Sequence, residues 1–551
     1  MPQAGAVLKV QVRTVLVDVL VTNKKGAPIT GLNKDAFEVK EDGSPQIINS
    51  FEEHSSAPPS TVSQEVLPSG VYTSAQTFHA SDSVNVLLLD WLNTQPPDQS
   101  YVREQVIKYL RTVPPGTRLG IFALGSELQL VQGFTSESSL LLAALQEKKS
   151  GANPKFGRLL SSETRKASEQ ELADLMVKSD AAPIAVAAVR DSQAQNASAQ
   201  AGDRVKLTLQ ALVELERYLS PIPGRKNVFW FSGSFPISVF PGAAQGANFG
   251  GELGSAAARF GPDRIAIYPI LAAGTTADTA FDPSEGLEHR ARMKTATEAA
   301  QDPSPAPDQV AMATLARETG GEPFLNTNDI GRDLRRALDD GSHYYTLSYS
   351  PTKTQDDGKF RSIDVSVLSK NYRLSYRRGY FAEPPAATPN TEGDRLLSLM
   401  RFGMPDFDQL PYTARVAVEE HQPAPGAARA GVSTTLKPPV TRYGVDFLIP
   451  LQSLKLESDR LGSQHDNIEL MLVAYSKNGE PLNLVAGKEQ IKLSRELAES
   501  GRNIQIHARQ EIDLPVGELF LRAGVYEPAS GKAGTIGIAV NPRTSVPSIT
   551  K

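Results

Sequence analysis

Alternation opens the chain. Val15, Val17, Val19 and Val21 fall on one face of an extended segment, and Thr14, Leu16, Asp18 and Leu20 on the other, the period-two signature of a strand. Asn23-Lys24-Lys25-Gly26 reads as a hairpin turn in which Gly26 supplies a positive φ. Phe37, Val39 and Glu41 begin another strand, which Asp42-Gly43 turns back into Ile47 and Phe51, so residues 7–53 are β. Residues 55–80, rich in Ser, Thr and Pro, read as a linker.

The grammar then changes. Val84-Asn85-Val86-Leu87-Leu88-Leu89 is a nearly continuous apolar run, as expected of a parallel strand covered on both faces. Val102, Val106, Tyr109 and Val113 form a helical stripe that Pro114-Pro115-Gly116 stops. Strands follow at 118–123 and 127–134, then a helix at 136–147. Residues 150–203 are Ala-, Ser- and Gln-rich and read as an insertion. Helices at 205–219, 309–319 and 330–339 alternate with strands at 227–231, 264–270 and 323–325. Gly320-Gly321 caps the middle helix, and Asn328 or Asp329 caps the last. Strands alternating with helices imply a doubly wound, mostly parallel sheet.

After Gly341 the pattern is β again, over 344–349, 362–368 and 372–376. Residues 384–396 form a second linker. A short helix near 397 precedes strands at 414–418, 444–451, 468–474, 504–512, 519–526 and 535–540, an immunoglobulin-like all-β sandwich. The expected domains are therefore 1–80 (a β segment and linker), 81–342 (α/β, with the 150–203 insertion), 343–383 (a β segment that pairs with the first into one sandwich), 384–396 (linker) and 397–551 (sandwich).

Composition narrows the function classes. With 551 residues, 40% hydrophobic and 22% charged, the chain is globular and multidomain. A formal charge of −5 and a pI near 5.9 give no basic face for nucleic acid. The absence of cysteine excludes disulfides and thiol chemistry. No apolar run reaches the ~18 residues of a membrane-spanning helix, and the first residues lack the basic-then-apolar form of a secretion signal. The seven histidines are scattered, with no pair at i, i+4. There is no Gly-x-Ser-x-Gly elbow and no phosphate loop. Arg373, Arg377 and Arg378 read as a solvated strand edge. Asn326 to Gly331 is a turn and cap, not a calcium loop, because Ile330 stands where an oxygen ligand is needed.

Several ordered motifs carry a resemblance. They are Leu16-Val17-Asp18-Val19-Leu20-Val21-Thr22, Asp35-Ala36-Phe37-Glu38-Val39-Lys40-Glu41-Asp42-Gly43 and Leu88-Leu89-Asp90-Trp91-Leu92-Asn93-Thr94. Further along come Ile222-Pro223-Gly224-Arg225-Lys226-Asn227 with Trp230-Phe231-Ser232-Gly233, Tyr344-Tyr345-Thr346-Leu347-Ser348-Tyr349, and Asp513-Leu514-Pro515-Val516-Gly517. In this order they resemble the VWFA-related proteins of acidobacterial type, which carry a von Willebrand factor A domain. The resemblance implies a multidomain α/β plus all-β chain, with a Rossmann-like A domain flanked by β-sandwich modules. It also implies an extracytoplasmic location reached through a removed signal peptide, and a non-enzymatic binding or adhesion role toward a protein partner. Two rivals stand beside it: a self-assembling envelope, surface or filament component, and a hydrolase whose site is not legible in the sequence.

The A-domain pattern further implies a Mg²⁺ site built on Asp-x-Ser-x-Ser at the end of the first strand, a loop threonine and a later aspartate. Asp90 stands in place, Leu92 replaces the first serine, and Thr94 replaces the second. Ser232-Gly233-Ser234 stands where the later aspartate belongs. The expected site is thus a degenerate one formed by Asp90, Thr94 and Ser232, with Mg²⁺ as the candidate cofactor and with Trp91, Asn93 and Ser234 facing the partner. The structural reading, which the residues favour over metal ligation and partner contact, has Asp90 cap the following turn and Trp91 and Trp230 act as packing anchors.

Overall fold

A computed structural model describes residues 13–54, 67–75, 83–146, 202–233, 250–272, 307–325, 329–368, 371–382, 394–420, 422, 430–433, 436, 439–458, 463–494 and 504–542. The fold is mixed, one mixed α/β sheet together with several antiparallel sheets. Two compact units share the chain: Met1–Pro58, Ser83–Ser220 and Arg225–Pro384 form one, and Pro59–Asp82, Pro221–Gly224 and Pro385–Lys551 the other.

The first unit begins with β1 (Val15–Thr22), β2 (Phe37–Glu41), β3 (Ser44–Gln46) and β4 (Ile48–His54). The next strand, β5 (Val71–Thr73), belongs to the second unit. Then come β6 (Val84–Asp90), α1 (Pro96–Leu110), β7 (Leu119–Leu124), β8 (Leu128–Thr135), α2 (Ser138–Gln146) and α3 (residues 202–219). After these follow β9 (Lys226–Ser232), α4 (Gly250–Phe260), β10 (Ile265–Leu271), α5 (Pro307–Thr319) and α6 (Ile330–Ser342). The sheet order is β10-β9-β6-β7-β8, parallel except for β8. Central strands with apolar residues on both faces need cover on both. Leu87, Leu89, Phe229 and Phe231 pack on one face with Val102 and Val106 of α1 and Leu334 of α6. Phe122 is buried on the opposite face, where it meets the Tyr218 ring of α3 edge-on at 5.3 Å. The insertion expected at 150–203 lies outside the described residues except for residues 202 and 203, which begin α3.

Helix α5 ends as its sequence predicts. Gly320 adopts φ +81°, and the Gly321 N–H donates to the Ala316 carbonyl at 2.9 Å. A Cβ on Gly321 would lie inside the van der Waals shell of the Ile267 carbonyl on β10. Gly321→Ala should therefore lower stability by about 1–3 kcal/mol in urea unfolding, and an unchanged midpoint would show that the loop yields freely.

The unit closes with β11 (Tyr344–Tyr349), β12 (Phe360–Val367), β13 (Arg373–Ser375) and β14 (Gly379–Phe381). Two antiparallel sheets result, β13-β1-β11-β4 and β14-β12-β2-β3, so segments on either side of the α/β region in sequence share both sheets. Val17, Val19, Phe37, Leu347 and Tyr349 lie in their common core. Arg377 departs from expectation. It is buried and donates to the Leu16 carbonyl at 2.7 Å, so it secures β1 and is not a solvated edge.

The second unit adds α7 (Asp394–Leu399), β15 (Thr413–Val418), β16 (Val440–Pro450), β17 (Glu457–Ser458), β18 (Gln464–Ser476), β19 (Pro481–Leu493), β20 (Gln505–Pro515), β21 (Leu519–Glu527) and β22 (Lys532–Val540). One sheet runs β20-β16-β15-β5; in the other β18 pairs with β17, β19 and β21, and β22 follows β21. Two expected linkers are corrected here. Residues 71–73 within 55–80 form β5, because their backbone completes the free edge of β15. Residues 394–396 within 384–396 begin α7, whose Leu396 is buried with Met400 against Met471 and Val473.

Candidate functional site

The strand order places a topological switch point at β6, since the chain leaves it to β7 on one side and β9 on the other. Ligands of open α/β sheets meet the carboxyl ends of the strands at such a point. Asp90 ends β6 and Ser232 ends β9 beside it.

Asp90 is wholly buried, and four protein donors converge on its carboxylate. Oδ1 accepts the Asn93 backbone N–H at 3.0 Å. Oδ2 accepts the Asn93 amide at 2.9 Å, the Trp230 indole N–H at 3.1 Å and the Ser232 hydroxyl at 2.8 Å. Burial dominates and raises the Asp90 pKa to about 6, against the lowering effect of these bonds. Around this knot, the Asn93 amide also donates to Thr208 Oγ1 of α3 at 2.9 Å, and Thr94 Oγ1 accepts the Gly233 N–H at 2.8 Å. The Gln99 amide donates to the Trp91 and Thr94 carbonyls at 3.1 and 2.8 Å, tying the start of α1 to the β6 loop.

These residues do not fit a Mg²⁺ centre. An ionised carboxylate offers about four lone-pair positions, two on each oxygen; three donors crowd Oδ2 and one meets Oδ1. The Trp230 N–H directs a positive hydrogen at the oxygen a cation would need. Leu92 is buried and carries no oxygen. Among the described residues no three His, Asp or Glu side chains gather as a metal-ligand group.

The structure brings Asp90, Asn93, Thr94 and Ser232 together. Asn93, expected to face a partner, is instead buried and turned onto Asp90. Trp91 is half-buried, packing partly against the α1 side of the sheet. Ser234 lies outside the described residues. Sequence reading missed Thr208 and the donor role of Trp230. Trp230 had a usable signal, because it stands two residues before Ser232 and so shares its face of β9.

No family model matches the chain, and no curated protein matches it. Among solved structures, it is similar to an aerotolerance-related membrane protein from Bacteroides fragilis carrying multiple mutations to serine. The identity is 9%, over 46% of this chain and 98% of that one, with a TM-score of 0.23, too low to carry an argument. No helix among the described residues is long and apolar enough to cross a membrane.

Proposed function

We propose that this chain is an extracytoplasmic, non-enzymatic binding protein built on a von Willebrand factor A-type domain, and that it engages a protein partner at the switch-point end of the sheet without a divalent metal at Asp90. The observation that carries this reading is the gathering of Asp90, Thr94 and Ser232 at the carboxyl ends of β6 and β9, with four donors of the chain itself converging on the buried Asp90 carboxylate. A carboxylate so enclosed serves as a structural pin for the β6 loop rather than as a base or a ligand. The exposed residues after it, Gln95 and Pro96, with half-exposed Trp91, present the contact surface.

A photo-crosslinking residue at Gln95 of the full chain tests this against the envelope fraction of the native host, with the same residue at Arg111, the exposed far end of α1, as control. A discrete protein adduct from position 95 alone, unchanged by EDTA, is expected. Equal labelling from both positions, or loss of the adduct with EDTA, would refute the reading. Protection of the chain from protease added to intact, permeabilised-outer-membrane cells would refute the extracytoplasmic location.

A further inference from the structure

Strand β4 ends on a buried histidine. His54 is 8% exposed and pairs across to Tyr344 of β11, whereas His343, His465 and His507, the other histidines among the described residues, are all at least partly exposed. Its ring stacks on the Tyr344 ring with centroids 4.4 Å apart and planes at 20°, and the Arg225 guanidinium lies over the same tyrosine at 5.3 Å. Nε2 stands 2.9 Å from Thr346 Oγ1. That hydroxyl gives its one proton to Asp18 Oδ1 at 2.8 Å and accepts from Arg264 at 2.9 Å. Its remaining position is an acceptor, so His54 Nε2 is the donor and the neutral ring is the Nε2–H tautomer. His54 is thereby hydrogen-bonded into the cluster in which Asp18 meets Arg264 and Arg225.

The surroundings tolerate this ring only while it is neutral. Glu52 of β4, exposed and 3.6 Å from Nε2, and Asp18 of β1 both favour a proton on it. Arg264 before β10 and Arg225 before β9 oppose one, and Tyr344 offers no charge because burial raises its pKa. Burial of the ring is the largest effect and prevails, holding the His54 pKa below its ordinary value. A charged imidazole here adds a third cation beside two guanidinium groups that share one buried carboxylate. β4 is also the outer strand of its sheet and pairs only with β11, so its end can detach without breaking a second ladder.

We propose that His54 is an acid-sensitive latch: the neutral ring fastens the end of β4 to the Asp18 cluster, and the protonated ring leaves it and frees the strand end. The unfolded chain takes up this proton near pH 6.5, and the folded chain only at lower pH. The latch therefore stabilises fully above about pH 6.5, and its contribution is lost as pH falls through the lower folded value. The joint between the antiparallel sheets and the base of the α/β sheet thus loosens in acid at the end of β4.

Hydrogen–deuterium exchange of the full chain at pH 5 and pH 8, corrected for intrinsic rates, reads the strand end directly. Peptides covering Ile48–His54 should exchange several-fold faster at pH 5, while those of the central strand β9 should not change. His54→Gln keeps a donor for Thr346 and takes up no proton, so it should fold and show no acceleration. The Tm of wild type relative to His54→Gln should fall between pH 8 and pH 5. Equal exchange of β4 at the two pH values in wild type, a comparison that needs no variant, would overturn the proposal. The same acceleration in His54→Gln would overturn it as well, by tracing the loosening to another group.

Discussion

Asp18→Ala should destabilise the first unit by about 3–5 kcal/mol in urea unfolding at pH 7, the usual cost of stripping one partner from a buried ion pair. Asp18 lies on β1, and its Oδ1 and Oδ2 accept the Arg264 guanidinium at 2.7 and 3.0 Å. Thr346 of β11 donates to Oδ1 at 2.8 Å, and Arg225 stands 3.7 Å from Oδ2. The two arginines immediately precede the strand residues Lys226 and Ile265, so this one carboxylate joins the antiparallel sheets to the base of the α/β sheet. Arg225 also donates to the Tyr268 hydroxyl and the Gly320 carbonyl at 3.0 Å each, next to the α5 cap. Arg264 holds φ at +55°, a left-handed conformation that the bidentate bond helps to sustain. Without Asp18 two guanidinium groups stay in the interior uncompensated.

The pH dependence of that contribution has a definite sign. The arginines and Thr346 hold Asp18 below its ordinary value despite burial. Its contribution is present above the unfolded pKa of about 3.9 and disappears as pH falls through the lower folded value. The stability difference between wild type and Asp18→Ala should therefore shrink on acidification. A constant difference from pH 7 to pH 2 would mean that the loss comes from packing alone.

Much of this architecture is legible in the sequence, and the illegible parts have physical causes. The continuous apolar run at Val84–Leu89 announced a strand covered on both faces; the alternation from Val15 to Val21 announced a strand, but not that its second face, with Asp18 and Leu20, is buried as well. β19 escaped, because Pro481–Leu493 carries Lys488, Glu489 and Gln490 on an edge strand that buries few residues. β5 escaped because three residues within a Ser- and Pro-rich stretch carry no periodicity; they are a strand only because β15 offers them a free edge. The position of Asp90 and the unsuitability of Leu92 could be read from spacing. What fills the resulting need could not, since Trp230 and Thr208 reach Asp90 and Asn93 through tertiary contacts. The same limit hid Arg377, whose charge suggested water and whose guanidinium instead meets a backbone carbonyl.

Asp90→Ala should cost about 3 kcal/mol at pH 5, because it leaves the Asn93, Trp230 and Ser232 donors without their acceptor in a buried site, at about 1–3 kcal/mol for each donor that no water reaches. The loss should be smaller at pH 8. Asp90 is raised to about 6, so between about pH 4 and pH 6 the folded chain holds a proton that the unfolded chain has released. Its contribution is thus full below the unfolded pKa and falls as pH rises through the folded one, at about 1.4 kcal/mol per pH unit at most. Asp18 runs the other way, so the two variants should give difference curves of opposite slope when unfolded in EDTA. Equal losses for Asp90→Ala at pH 5 and pH 8 would mean that the four hydrogen bonds outweigh burial and keep the carboxylate ionised throughout. An ionised Asp90 at pH 8 would still face the same four donors, three of them on Oδ2, and no group of His, Asp or Glu side chains gathers with it among the described residues. The metal-free reading of the switch point therefore stands on the donors, and the titration decides only which form of the carboxylate they hold.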